Sequence, residues 1–311
     1  MCKMVSIVVV CWNALEYTKV TLESLFNTVK GSYNLIIINN GSNDDTRFFL
    51  NSIILPNNIN KSEIIHNNTN LGIGPAYNQG YNISKTLNSK YTVFCNNDLL
   101  FSKGWLEKLV ELMEHDSNIA MANSIRPSAN DIHPQGISTI DKLKEIAYFD
   151  INSEIEAFTG FNIDEFDIFC DNICRINKNI SGDVREVKFP DSLSSCLCIV
   201  RNSSLRKYGY FADISFGNKY GGEDIDMCWS LMKDGYKCVV DNSCYIHHFR
   251  GKSMASNSSN VKKSLAESNL FLYNKWKNDI DDYIYRNNIS ILNLESHGEQ
   301  WLIYNIFNNL K

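Results

Sequence analysis

At 311 residues the chain is long enough to bury a full core and to hold one large α/β domain with a small appendage. Charged residues make up 21% and the formal net charge is −5, so there is no basic footprint for nucleic acid. The longest N-terminal apolar run, Val5 to Trp12, is far too short to span a bilayer and shows no cleavage site, which marks a strand rather than a targeting signal.

Strands and helices then alternate. A strand at Val5–Val10 precedes a helix near Leu15–Thr28, and a strand at Asn34–Ile38 precedes a helix near Thr46–Leu50. Ile64–His66 reads as a short strand, Pro75–Leu87 as a helix with proline in its first turn, and Tyr91–Cys95 as the next strand. Gly104–His115 is amphipathic, with Trp105, Leu106, Leu109, Val110, Leu112 and Met113 apolar. This alternation predicts an α/β fold: a mostly parallel sheet with helices on both faces and ligands at the strands' carboxyl ends. From Pro127 to about Lys188 the pattern breaks down into Asn- and Asp-rich sequence with mixed acidic and aromatic residues, which reads as an insertion of two helices and a loop. A strand at Ser194–Val200, a helix at Asp224–Lys233 and a strand at Lys237–Val240 complete the core. Residues 1–260 thus form the main domain and 261–311 a helical extension. The extension ends in an apolar stripe, Trp301, Leu302, Tyr304, Ile306, Phe307 and Leu310, whose polar face carries Asn rather than Lys or Arg. Such a stripe suits packing or a homodimer contact better than a membrane anchor, leaving at most a peripheral membrane association.

Ten cysteines raise the question of a disulfide or zinc framework. Cys11, Cys95, Cys196, Cys198, Cys228 and Cys238 sit within apolar stretches, where a thiol behaves as a small hydrophobe. Cys170 and Cys174 are four apart, but no second pair follows to complete a structural zinc site. The expectation is reduced cysteines and a cytoplasmic protein.

Two segments carry chemistry. Tyr91-Thr-Val-Phe-Cys ends in Asn96, Asn97 and Asp98, as a buried strand does when it delivers a carboxylate to the sheet's edge. One carboxylate among amides suits a hard divalent ion that keeps waters and a substrate's phosphates, although Asn-Asn-Asp is also ordinary turn chemistry. Gly221-Gly-Glu-Asp-Ile-Asp places Glu223 and Asp224 at a helix start, where a fixed ionised carboxylate can act as a general base. Acids also favour helix N-termini for electrostatic reasons, and both readings hold together.

These segments resemble the metal-binding and catalytic-base motifs of family 2 glycosyltransferases, inverting enzymes of the GT-A fold, and most closely the rhamnosyltransferase-like branch. Four further stretches fit in order: Ser6–Asn13, Ile36–Thr46, Asn70–Gly80, and His248 followed by Ser253. Glu267-Ser268-Asn269 with Lys275-Trp276 is similar to the family's C-terminal helix signature.

The resemblance implies a role for each position. Val10, Trp12 and Asn13 would border the base and ribose of a nucleotide, with Asn39 below and Ser42 in the adjoining turn. Asn70, Gly72 and Asn78 would form the loop beside the diphosphate and sugar. Asp98, flanked by Asn96 and Asn97, would hold Mn²⁺ or Mg²⁺ together with His248, or with His247, since adjacent strand residues face opposite ways. Arg250 and Lys252 would touch the diphosphate. Asp224 would be the base, with Glu223 beside it. Three departures stand out: Asn39 where the family has Asp, Asn96 and Asn97 where it often has acids, and Ser230 where it commonly has Arg. An amide at 39 suits the single N3–H of a pyrimidine, favouring a UDP- or dTDP-linked donor. The acceptor would be a glycan, glycolipid or glycoprotein, with the 127–188 insertion lying over the acceptor side. The competing reading is a non-catalytic sugar-nucleotide or glycan-binding module on the same fold.

Overall fold

The computed structural model describes residues 5–126, 163–219, 221–249, 251–255 and 261–289. β1 (Val5–Cys11), α1 (Leu15–Thr28), β2 (Tyr33–Asn40), α2 (Thr46–Ser52), β3 (Ile59–Asn67), α3 (Ile73–Thr86) and β4 (Tyr91–Asn96) alternate as the sequence predicts. There follow β5 (Leu99–Phe101), α4 (Trp105–His115), β6 (Ile119–Ile125), α5 (Ile163–Ser181), β7 (Val184–Val187), β8 (Leu197–Arg201) and α6 (Asn202–Leu205). The chain closes with α7 (Glu223–Lys233), β9 (Lys237–His248), α8 (Lys252–Ala255) and α9 (Val261–Arg286).

Among the described residues nine strands share one sheet in the order β3-β2-β1-β4-β8-β6-β9-β5, with β7 alongside β9. β3, β2, β1 and β4 are parallel, β8 runs antiparallel to both its neighbours, and β6 and β9 are again parallel. Both faces are covered, so β1 is apolar almost throughout rather than alternating with polar residues. Its side chains still divide by the two-residue period. Val8 and Val10 join Ile36, Ile38 and Phe94 in one core, while Ile7 and Val9 join Leu35, Ile37 and Val93 in the other. Helix α3 lies flush on β1 because it carries Gly80 there; a Cβ at that position would sit 2.2 Å from Val8 Cγ1.

Two segments differ from expectation for identifiable reasons. The strand expected at Lys237–Val240 continues to His248, and the turn-like Asp241-Asn242-Ser243 forms an irregularity inside it, with Asp241 Oδ1 accepting from Ser243 N–H at 2.8 Å. The strand expected from Ser194 begins only at Leu197, because the backbone of Ser194 and Ser195 is taken by side chains from elsewhere: Asn123 Nδ2 donates to Ser194 O at 2.7 Å, and Tyr77 Oη to Ser195 O at 2.7 Å. Of the 127–188 insertion, one helix and one strand, α5 and β7, fall among the described residues, and the apolar stripe at 301–310 lies outside them.

Helix α9 packs on α7 through a third core of Phe216, Trp229, Leu272, Trp276, Ile280 and Ile284. Cys170 and Cys174 are buried on α5, where burial pushes the Cys174 thiol up to about 12. Among the described residues no group of three or more His, Cys, Asp or Glu side chains is arranged to hold a metal, and no helix is long and apolar enough to cross a membrane.

Candidate active site

The carboxyl ends of β1, β2 and β4 open onto a cavity of about 350 Å³. Its far side is made by the loop before β8, the start of α7 and the end of β9. A parallel sheet that changes sense at β8 leaves a crevice at its carboxyl edge, and this cavity occupies it.

One wall is built from amides. Asn40 at the end of β2 donates to Asn70 Oδ1 (2.9 Å) and to Gly72 O (3.1 Å), and its own oxygen accepts from Leu71 N–H (3.1 Å) and Asn67 Nδ2 (3.0 Å). Asn67 and Gln79 exchange a further pair of bonds. The Asn70–Gly72 loop is thereby held on the cavity before anything binds. Gly72 adopts φ +90°, and a Cβ there would meet Asn218 Cα at 2.7 Å, so its smallness seats the 217–218 loop. Val10 and the half-buried Trp12 complete this wall.

The floor is the end of β4. Asn96 Oδ1 lies 2.8 Å from the Tyr77 hydroxyl. Asn97 donates to Asn13 O and Thr18 Oγ1, and its oxygen accepts from Ser253 Oγ at 3.0 Å. Asp98 is held against β9 by its own carbonyl, which accepts from Phe249 N–H at 3.0 Å, and by the pairing of Leu99 with His248. His248 Nε2 is 3.1 Å from Asp98 Oδ1, a buried ion pair on the cavity floor. Burial alone would raise the Asp98 carboxyl; the imidazole beside it outweighs that and holds it below its ordinary range. His248 is conversely pushed up to about 9, burial being overcome by Asp98 and the neighbouring Cys196.

The far wall carries the acidic pair. Asp224 Oδ2 accepts from Ser195 N–H (2.8 Å) and Oδ1 from Ile225 N–H (2.9 Å). Glu223, 4% exposed, lies 3.4 Å from the Ser195 hydroxyl. Burial and the charge of Asp224 push the Glu223 carboxyl up to about 8. Burial also raises Asp224, against the opposing pull of its two N–H bonds.

Of the residues singled out from sequence, Val10, Trp12, Asn70, Gly72, Asn96, Asn97, Asp98, Glu223, Asp224 and His248 meet on this cavity. The rest are placed differently. Asn13 and Ser42 brace the β1 and β2 ends behind it: Asn13 N–H donates to Ser42 Oγ (2.9 Å) and Asn13 Oδ1 accepts from Asn43 N–H (2.8 Å). Asn39, 1% exposed, gives its amide to His66 Nδ1 (3.0 Å) and its oxygen to Ser42 N–H (3.1 Å). Asn78 holds the Phe211–Ala212 backbone through three bonds. His247 points into the core, 3.0 Å from the Tyr245 hydroxyl and edge-on to Phe249. The Lys252 ammonium lies 5.6 Å over the Tyr17 ring, and Arg250 is outside the described residues. The sequence reading missed Asn40, Ser194, Ser195, Cys196, Lys219 and Ser264 on the cavity. Only Asn40, inside the recognised β2 turn, had a signal; Ser195 acts through its backbone N–H, which leaves no residue-type signature.

Comparison with known proteins agrees with this layout. The Glycosyl transferase family 2 model matches residues 6–176. An uncharacterized glycosyltransferase of Haemophilus influenzae is 30% identical over 124 residues, 40% of this chain and 36% of that protein, so the chain spans little more than a third of that relative. A mannosyltransferase, PcManGT from Pyrobaculum calidifontis in complex with GDP-Man and Mn²⁺, shares the fold at TM-score 0.52 and 11% identity, over 87% of this chain and 63% of that one. S. aureus TarS 1-349 in complex with UDP-GlcNAc does so at TM-score 0.52 and 14% identity, over 87% and 66%. The sheet is that of the GT-A glycosyltransferases, the family model spans more than half the residues, and the chain belongs to glycosyl transferase family 2.

Proposed function

We propose that this protein is an inverting glycosyltransferase that moves a sugar from a nucleoside-diphosphate donor to a hydroxyl of a glycan or glycoconjugate. The observation that carries this reading is the pairing of two chemistries on one cavity: a buried carboxylate–imidazole pair, and an acidic pair at a helix start.

Asp98 and His248 suit a divalent cation. Asp98 Oδ1 and His248 Nε2, buried and 3.1 Å apart, would form a donor set that Mg²⁺ or Mn²⁺ completes with waters and phosphate oxygens, the ion taking the place of the imidazole proton. The bound ion would neutralise charge on a departing diphosphate. Val10, Trp12 and the Asn40–Asn70 wall would border the nucleoside and sugar. Asn39 lies behind this wall and is spent on His66 and Ser42, so the donor range keeps UDP-, dTDP- and GDP-linked sugars; the rhamnosyltransferase-like motifs make a deoxyhexose part of it.

The two acids divide the remaining work. Glu223, deeply buried beside a like charge, stays protonated near neutral pH and offers a hydrogen bond. Asp224 is the better base, since two backbone N–H groups stabilise its carboxylate while each oxygen keeps a free lone pair. It would take the proton of the acceptor hydroxyl as that oxygen attacks the anomeric carbon opposite the leaving diphosphate, inverting the centre.

The test is Asp224→Asn, which keeps shape and removes the proton sink. Turnover of the best donor from a panel of UDP-, dTDP- and GDP-linked sugars should fall about 10²–10⁴-fold, with donor affinity unchanged. A near wild-type rate would pass the role to Glu223. Joint loss of donor binding and thermal stability would make the acidic pair structural and would favour a binding module.

A further inference from the structure

The first turn of α7 carries a third carboxylate that the chemistry above does not use. Asp226 is 1% exposed, and both its oxygens are held by the C-terminal helix. Trp276 Nε1–H donates to Oδ1 at 2.7 Å, and the Lys275 ammonium donates to Oδ2 at 2.8 Å. The same ammonium donates to Asp213 Oδ2 at 2.7 Å. Asp213 caps the short 3-10 turn Ile214–Phe216, which leads directly to Asn218 and Lys219 on the cavity rim. Helix α9 also reaches the cavity itself through Ser264. One lysine thus ties together the helix that bears the acidic pair and the loop that borders it. Position 230, where an arginine would be expected from the family pattern, is a serine in this chain.

We propose that Lys275 and Trp276 are positioning residues for Asp224: by gripping Asp226 they fix the first turn of α7 against the Ser195 loop. The proposal rests on the reading of Asp224 as base. Its physical basis is the cost of a stranded buried charge. Without the ammonium, the Asp226 carboxylate must take up a proton or move towards water, either of which loosens its grip on α9, and the turn that carries it also carries Asp224, two residues earlier. Displacement by about 1 Å is enough to cost on the order of 10²-fold in rate.

The experiment compares Lys275→Met, Lys275→Arg, Lys275→Met/Asp226→Asn, Trp276→Phe and Asp224→Asn in the full chain. Three quantities are read: kcat for hydrolysis of the fastest-turned-over donor among UDP-glucose, UDP-galactose, UDP-N-acetylglucosamine and dTDP-rhamnose; affinity for UDP with Mn²⁺ by calorimetry; and Tm. Lys275→Met should lower kcat about 10–100-fold while UDP affinity stays within about threefold. Lys275→Arg should retain most activity, and the double variant, which strands no charge within α7 and leaves only the partly exposed Asp213 without its ammonium, should recover at least about tenfold. Trp276→Phe, which loses the bond to Asp226 and some core volume, should lower kcat about 3–10-fold with UDP affinity kept and Tm down by only a few degrees; it carries the test if Lys275→Met does not fold. Unchanged kcat in both Lys275→Met and Trp276→Phe, with Asp224→Asn inactive, would overturn this inference alone. Active Asp224→Asn would overturn the base reading beneath it. Parallel loss of kcat, UDP affinity and Tm without recovery in the double variant would reduce α9 to a structural brace and overturn the proposal.

Discussion

Replacing Glu223 by Gln removes a carboxyl that burial and Asp224 have moved from an ordinary 4.5 to about 8. The sign follows from proton linkage. The folded chain keeps this proton more tightly than the unfolded one, so Glu223 costs nothing below about pH 4.5 and destabilises progressively as pH rises to about 8. A shift of that size corresponds to roughly 5 kcal/mol once the window is crossed. Glutamine has the same shape, can still accept from the Ser195 hydroxyl, and carries no charge to desolvate. Glu223→Gln and wild type should therefore be about equally stable at pH 5, with the variant ahead at pH 8.5 by up to about 5 kcal/mol, or a Tm gap of up to about 8 °C. His248 works in the same direction, its contribution being present below 6.5 and lost as pH climbs through about 9, but it acts in both proteins and cancels in the difference. Thermal denaturation at five pH values between 5 and 9 is sufficient. A stability difference that stays constant across that range would show that Glu223 ionises normally, and the assignment of protonated and ionised partners in the acidic pair would fall with it.

Asp98→Ala should weaken UDP binding in the presence of Mn²⁺ and leave the weak metal-free binding nearly unchanged; equal losses by calorimetry under both conditions would indicate a folding role. The two adjacent histidines should separate cleanly. His248→Gln should abolish metal-stimulated UDP binding and cost Tm only at pH values where the Asp98–His248 pair is charged, whereas His247→Gln should lower Tm by disturbing the Tyr245 and Phe249 contacts and keep metal dependence. Gly80→Ala drives a methyl into Val8 and should cost about 1–3 kcal/mol in denaturant unfolding without any change in the cavity; a neutral result would mean that α3 can lift from β1.

The parallel half of the sheet was legible because each strand is a concentrated apolar run followed by a polar break, and Asp98 stands at such a break, while Glu223 and Asp224 stand where a glycine pair opens a helix. His248 over His247 required the register of β9, since two neighbouring histidines are equivalent in composition. Asparagine was the main source of ambiguity. Asn13, Asn39 and Asn78 occupy positions where a family reading places ligand contacts, yet each spends its amide on chain atoms, and residue type does not reveal which way an amide turns. The three-residue β5 carries too little pattern to detect, and Asp241-Asn242-Ser243 has turn composition although the strand continues through it. Tyr77 carried no signal in the sequence, and its part emerges from the fold, which sets its hydroxyl between Asn96 and the Ser195 carbonyl.

The amide wall has an electrical consequence. Asn40, Asn67, Asn70 and Gln79 carry no ionisable group, and His66 behind them is kept neutral more readily than usual by burial and by Arg47. That side of the cavity is therefore silent to acid and base across the neutral range, whereas the floor and far wall hold Asp98, His248, Glu223 and Asp224. The molecule separates a surface whose grip is indifferent to pH from one whose charge state is finely balanced. Occupancy by the nucleoside portion should be nearly flat with pH, and the shape of any pH–rate curve should be written by the floor and the far wall.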